Sequence, residues 1–157
     1  MTRCHLPLTR APFSGTAMKI TIKGLLGGHS GVEIDKGRAN ANMLMGRLLY
    51  AAQTKTPLRL VSVAGGNKDN AISRESQALL LAENADTLRT VVAEMAAAFQ
   101  REYRSTDPGV SVTVEDASTD KLPMDEASTF KAITLLTCMP DGVQVMSPDI
   151  AGLVQTS

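Results

Sequence analysis

The chain has 157 residues and no formal net charge, since 16 lysines and arginines balance 16 aspartates and glutamates. Nucleic-acid binding needs a basic face that displaces counterions, and no cluster of basic residues provides one. Aromatic residues make up 3% of the chain and offer few platforms for stacking bases. Residues 1–10 lack the apolar run of a signal peptide, and no stretch has the length of a membrane span. We therefore expect a cytoplasmic globular protein that binds neither nucleic acid nor membrane.

The residues that commonly hold metals are few and scattered. Cys4 and Cys138 lie far apart, so we expect both to be free thiols in a reducing compartment. Neither His5 nor His29 has a second histidine or a carboxylate at metal-ligand spacing beside it. Zinc sites need several such ligands that converge. The sequence therefore predicts no metal site in this chain, and the residues alone do not make a self-sufficient enzyme.

Strand and helix patterns alternate along the chain, separated by turn residues. Alternating apolar and polar residues predict strands, and apolar residues three or four apart predict helices. Asn84 and Asp125 are good N-caps for the second and third helix. The predicted strands are 18–23, 58–63, 76–83 and 110–114, and the predicted helices are 38–53, 85–103 and 126–138. In the third helix, the spacing places Phe130, Ile133 and Leu136 or Thr137 on one apolar face.

The first six elements follow the order strand, helix, strand, strand, helix, strand, which is that of the ferredoxin-like fold. We predict an α+β sandwich whose antiparallel sheet has both helices on one face, followed by a third helix and an extended tail. A leading segment (1–15) then precedes the domain core (16–116) and a continuation with the third helix (117–157). The other face of the sheet is left for a partner or for solvent.

One stretch, 27–31, reads Gly-Gly-His-Ser-Gly and follows the first predicted strand. Glycine has no Cβ, so this backbone can turn sharply and approach another surface closely. The same glycines cost conformational entropy on folding, which indicates that the geometry of the loop matters. We expect the loop to present His29 rather than bury it. The structural alternative is a loop histidine that hydrogen-bonds its own backbone.

Asn70 and Arg74 are two further candidates, just after the second predicted strand. Each has a structural explanation: asparagine tolerates the left-handed geometry of hairpins, and an arginine at a strand edge is commonly solvated. No serine is identifiable as a nucleophile partner for His29. The glycine loop also lacks the lysine of a P-loop and does not match G-x-G-x-x-G. The residues alone therefore assign no reaction.

Three motifs in order carry a resemblance to a known family. They are the stretch from Ile20 through Gly31 with Arg-Ala-Asn-Ala-Asn at 38–42, the stretch Gly-Gly-Asn-Lys-Asp-Asn-Ala-Ile at 65–72 followed by Arg-Glu, and the segments at 140–143 and 152–157. Together they resemble the lid (dimerisation) domain of PepD-type aminoacyl-histidine dipeptidases, carnosinase-like members of the co-catalytic zinc peptidases. The resemblance runs from about residue 6 to residue 157. One departure is Ser73, where the family usually has proline.

The resemblance implies a function. In that family a separate catalytic domain holds two zinc ions, their ligands and a glutamate base, none of which is found here. The chain would be the lid domain of such an enzyme, cut within or near the lid's end and inactive alone. Its partners would be the catalytic domain, a second subunit in a homodimer and a dipeptide. The resemblance makes His29 the catalytic donor to the oxyanion, and makes Asn70 and Arg74 substrate-binding residues.

Two alternatives from other classes stay open. One is a freestanding module that binds a small ligand between its helices and sheet, since ferredoxin-like folds host many functions. The other is a purely structural dimerisation domain in which His29 is incidental.

Overall fold

A computed structural model describes residues 5–156, so the prediction for Cys4 lies outside the described residues. Cys138 is a free, exposed thiol. The strands are β1 (Thr16–Lys23), β2 (Gly28–His29), β3 (Leu58–Gly65), β4 (Ala71–Ile72), β5 (Ser76–Ala82), β6 (Ser111–Asp116), β7 (Val145–Met146) and β8 (Val154–Thr156). The helices are α1 (Ala41–Gln53), α2 (Ala85–Glu102) and α3 (Glu126–Cys138), with a short 3-10 turn at Ile34–Lys36.

Four strands form the main sheet in the order β3-β5-β1-β6, and every neighbouring pair is antiparallel. This is the ferredoxin-like order, so the predicted α+β fold is confirmed. In the central strand β1, Met18, Ile20 and Ile22 are fully buried, whereas Lys19 and Thr21 between them are only half-buried. The alternation predicted from the sequence therefore corresponds to one face packed under the helices and one face that is more open.

The helices pack against this buried face and against one another. Helix α1 contacts β1, β3 and β5 as well as both other helices. It approaches α3 closely at Gly46, where an added Cβ would lie 2.8 Å from the carbonyl carbon of Leu136. Such a contact leaves no room for any larger residue at position 46.

Helix α3 buries a different face from the one that its apolar residues predict. Ile133 is fully buried as expected, but Phe130 is 56% exposed, so placing Phe130 on the same face was wrong. Helix α3 instead turns Ser128 and Thr129 inwards, and the Thr129 hydroxyl accepts a hydrogen bond from the backbone N–H of Leu60 at 3.2 Å. This contact lies beside a bulge in β3. The buried face of α3 thus carries the Thr129 hydroxyl, which bonds the irregular strand β3, while Phe130 lies on the exposed side.

The N-caps predicted for the second and third helix are confirmed, whereas the first helix starts later than predicted. Asn84 accepts from the N–H of Thr87 at 2.9 Å, and Asp125 accepts from that of Ser128 at 2.7 Å. Helix α1 begins at Ala41 rather than at residue 38, because Asn40 is its N-cap. Residues 38 and 39 belong instead to the loop between β1 and α1, where Arg38 pairs with Glu33 and the N–H of Ala39 donates to Asp107.

After α3, the tail forms a small antiparallel hairpin of β7 and β8. The tail that the sequence predicts to be extended thus contains two short strands that pair with each other. Asp141, just after α3, accepts from the side-chain amide of Asn40 at 2.8 Å, which connects the tail to the start of α1. Within residues 5–156 no helix is long and apolar enough to cross a membrane.

Replacing Leu80 by alanine is expected to lower the free energy of unfolding by about 2–5 kcal/mol, because a fully buried leucine leaves a cavity. Leu81, the next residue of β5, is half-buried on the opposite face and provides the matched control. Leu81→Ala should cost at least about 1 kcal/mol less. Urea unfolding of both variants measures the difference. Equal losses would contradict a core confined to the helical face.

Candidate functional site

His29 lies in the loop of residues 26–39, here called the His29 loop, which connects β1 to α1. Within it β2 pairs with β4, so that His29 lies opposite Ala71 and Gly28 lies opposite Ile72. The backbone N–H of Ser30 also donates to the carbonyl of Asn70 at 3.0 Å. The structure therefore brings the His29 and Asn70 segments together. Sequence reasoning missed β4, because a strand of two residues shows no periodicity.

Two glycines allow the loop to pass close to neighbouring side chains. Gly27 has a φ of +65°, and an added Cβ would lie 2.3 Å from Cγ of Arg74. Gly28 has a φ of +153°, and an added Cβ would lie 2.6 Å from a guanidinium nitrogen of Arg38. The surface that this backbone approaches is thus formed by two arginines of the same chain.

The imidazole of His29 is exposed and bonds its own loop through one nitrogen. Its Nδ1 accepts from the N–H of Gly31 at 3.0 Å and from that of Val32 at 3.3 Å. A neutral imidazole that accepts at Nδ1 carries its hydrogen on Nε2. The self-bonding expected of a structural histidine is therefore present, and it makes Nε2–H the donor of the ring.

Glu33 bonds the backbone of His29 and two basic side chains of the same loop. Its Oε2 accepts from the backbone N–H of His29 at 2.9 Å, and its Oε1 lies 3.1 Å from Nζ of Lys36 and 3.2 Å from Arg38. The His29 N–H, then the hydrogen bond and charge of Lys36, and finally the charge of Arg38 lower the pKa of Glu33 to about 2. Sequence reasoning missed this role, since an acidic residue near a helix start has an ordinary explanation.

Arg74 contacts the start of the His29 loop. Its Nε donates to the carbonyl of Leu25 at 3.3 Å while its aliphatic stem contacts Gly27. With Lys68 it also lines a cleft of about 540 Å³ between residues 24–26 and 71–75. Asn70 is exposed at the rim of the loop contact. The three predicted site residues thus belong to one region of the surface.

The side chains of residues 5–156 do not fit a metal centre. In this part of the chain no group of three or more histidine, cysteine, aspartate or glutamate side chains could hold an ion. What the region offers is a set of hydrogen-bond donors on a fixed backbone: the His29 ring, the Asn70 amide and the Arg74 guanidinium.

Comparison with known families gives this arrangement a context. The sequence profile of one family, the M20-type peptidase dimerisation domain, matches residues 20–107. The match covers more than half of the chain and includes the whole His29 loop. The chain belongs to the M20 peptidase dimerisation domains. The family resemblance found in the sequence is confirmed.

Two relatives are similar to this dimerisation domain over nearly its whole length. The cytosol non-specific dipeptidase of Escherichia coli (strain K12) is 34% identical over 156 residues, which is 98% of this chain and 32% of the relative. The crystal structure of aminoacylhistidine dipeptidase from Vibrio alginolyticus matches with a TM-score of 0.90 and 33% identity, covering 95% of this chain and 31% of that one. The chain thus spans about a third of the length of these relatives.

Replacing Gly27 by alanine should loosen the β2–β4 pairing. The added Cβ meets Arg74, and the positive φ alone costs a residue with a side chain roughly 1–2 kcal/mol. Gly37 has a φ of +62° with nothing within 4 Å of an added Cβ, so Gly37→Ala is the matched control for strain alone. Amide exchange at Ser30 should accelerate at least about tenfold in Gly27→Ala and less in Gly37→Ala. Equal acceleration would show that the contact with Arg74 is unimportant.

The carboxyl group of Glu33 should titrate at about pH 2 rather than at its ordinary value of 4.5. Because the pKa is lowered in the folded state, its stabilisation of the loop is complete above pH 4.5 and is lost as the pH falls towards 2. NMR titration of the Glu33 carboxyl and of the His29 amide should give one shared midpoint. Lys36→Met should raise that midpoint, because a hydrogen bond and a charge are removed. A Glu33 midpoint near 4.5 would contradict the His29–Glu33 bond.

Proposed function

We propose that this chain serves as the lid and dimerisation domain of a zinc-dependent Xaa-His dipeptidase, to which it contributes His29. Its membership in the M20 dimerisation domains supports the dimerisation role. Its similarity to an aminoacylhistidine dipeptidase across nearly the whole chain supports the substrate class. The name of the relative from Escherichia coli, a cytosol protein, supports a cytoplasmic location.

The two backbone N–H bonds that Nδ1 of His29 accepts are the observation that carries the catalytic part of the proposal, because a neutral ring then has its hydrogen on Nε2. Hydrolysis of a peptide bond passes through a tetrahedral intermediate whose carbonyl oxygen becomes negatively charged. A donor held at that oxygen stabilises the transition state more than the ground state. Nε2–H of His29 is such a donor, and it is exposed on a backbone fixed by Glu33 and the β2–β4 pairing. A domain that closes over the dipeptide would bring it to the carbonyl.

Asn70 and Arg74 would bind the substrate beside this donor. The Asn70 side chain carries both a donor and an acceptor suited to a peptide group. The Arg74 guanidinium suits a carboxylate, because its planar fork can donate two parallel hydrogen bonds. Arg74 already lines the cleft next to the loop. Both residues would therefore contact one dipeptide with His29.

The remaining chemistry belongs to partners. Two zinc ions and the base would be held by a catalytic domain, and the described residues of this chain contribute no ligand set. A second subunit would complete a homodimer. The contribution of this chain to the reaction is confined to hydrogen bonds with the substrate, so the chain alone is inactive.

Replacing His29 by alanine in the complete dipeptidase should lower kcat for an Xaa-His dipeptide roughly 10²–10³-fold, the usual effect of removing one oxyanion donor. KM should change little, since the donor acts mainly in the transition state. His5, the second histidine of the chain, is exposed and distant in sequence, so His5→Ala is the matched control and should leave kcat unchanged. Steady-state kinetics measure both.

A decrease of less than about threefold in His29→Ala would contradict the donor role. If the dimer persisted in that variant, as shown by analytical ultracentrifugation, the purely structural alternative would be favoured instead.

A further inference from the structure

Asp107 is a buried carboxylate that the proposed function does not use. It lies between α2 and β6 and is 0% exposed. In the sequence it belongs to Asp-Pro-Gly, a combination whose evident role is to end a helix. A buried carboxylate is rare unless its oxygens are satisfied by specific partners. The partners of Asp107 therefore indicate what it does.

The two carboxylate oxygens bind the two ends of the His29 loop. Oδ1 accepts from the backbone N–H of Leu26 at 2.8 Å, and Oδ2 accepts from that of Ala39 at 2.8 Å. These donors are the first amide of the loop and the amide just before the N-cap of α1. One side chain thus joins both ends of a segment from which it is separated by 68 and 81 positions in sequence.

Asp107 is itself held rigidly. Its backbone N–H donates to the carbonyl of Tyr103 at 2.8 Å, and its carbonyl accepts from Val110 at 3.0 Å. It is therefore fixed both to the end of α2 and to the start of β6. Through these bonds, the positions of α2 and β6 determine where the two ends of the His29 loop lie.

We infer that Asp107 is the positioning residue that places His29 for catalysis, an inference that rests on the proposed function. Asp107 does not contact the His29 ring. It acts by fixing the ends of the loop, within which Glu33 and the β2–β4 pairing fix the middle. A group that must meet a developing charge has to be held within a fraction of an ångström, and second contacts of this kind provide that precision.

The test compares Asp107→Asn with Asp125→Asn. The asparagine keeps one accepting oxygen and loses the other, so one end of the loop is released while the size of the side chain is kept. Asp125 also accepts a backbone N–H, at the start of α3, and is the matched control for loss of a structural carboxylate. Both variants are made in the complete dipeptidase, alone and combined with His29→Ala, and kcat is measured with an Xaa-His dipeptide.

Asp107→Asn should lower kcat at least about tenfold, since misplacing a catalytic group by ~1 Å can cost ~10²-fold. In the His29→Ala background the same substitution should have almost no further effect, because the group being positioned is already absent. Asp125→Asn should leave kcat within about twofold of the unsubstituted enzyme in either background. An equal loss of kcat in the Asp107→Asn and Asp125→Asn variants, or an Asp107→Asn loss that persists undiminished in the His29→Ala background, would overturn the inference.

A second measurement on the 157-residue chain decides the inference without catalysis. The ¹⁵N chemical shifts of the His29 ring should show one tautomer, with hydrogen on Nε2, in the unsubstituted chain and in Asp125→Asn. In Asp107→Asn they should move towards an average of both tautomers. An unchanged spectrum would overturn the role of Asp107. If this spectrum changes as expected while His29→Ala leaves kcat intact, Asp107 positions the loop and the proposed function is what fails.

Discussion

The burial of alternate side chains of β1 fixes the register of the main sheet. This strand is central, paired with β5 on one side and β6 on the other. Met18, Ile20 and Ile22 fill the space beneath the helices, so a shift of one residue would turn all three to the open face. The register is therefore fixed, and with it the point where the chain leaves the sheet at Gly24. That point determines where the His29 loop starts.

From there the loop is held by polar contacts rather than by apolar packing. Its ends are fixed by Asp107, and its middle is fixed by Glu33 and by a backbone pairing of two residues. Each contact satisfies a backbone N–H that a surface loop would otherwise leave to water. Charged and backbone groups together give an exposed segment a defined geometry. The His29 ring inherits that geometry through Nδ1, and its Nε2 takes no part in these bonds.

Under the proposed function, the same contacts explain how a dimerisation domain of this family could contribute hydrogen bonds to a reaction whose metal chemistry belongs to a separate catalytic domain. Hydrogen-bond donors need only be placed, whereas metal ions need a converging set of ligands. Within residues 5–156 the first requirement is met and the second is not. Under the proposed function, His29, Asn70 and Arg74 would lie on a surface that closes on a substrate held by the catalytic domain.

The sequence predicted the order of the main elements, the caps at Asn84 and Asp125 and the position of the glycine loop, because these depend on neighbours within a few positions. It did not reveal β4 or the orientation of Phe130, since both depend on which segments meet in space. Only the tertiary structure gave Asp107 its role, because an aspartate that ends a helix and one that binds a loop look the same in sequence. A bond across 81 positions leaves no local pattern, and its existence is decided when the core of the sheet brings its two ends together.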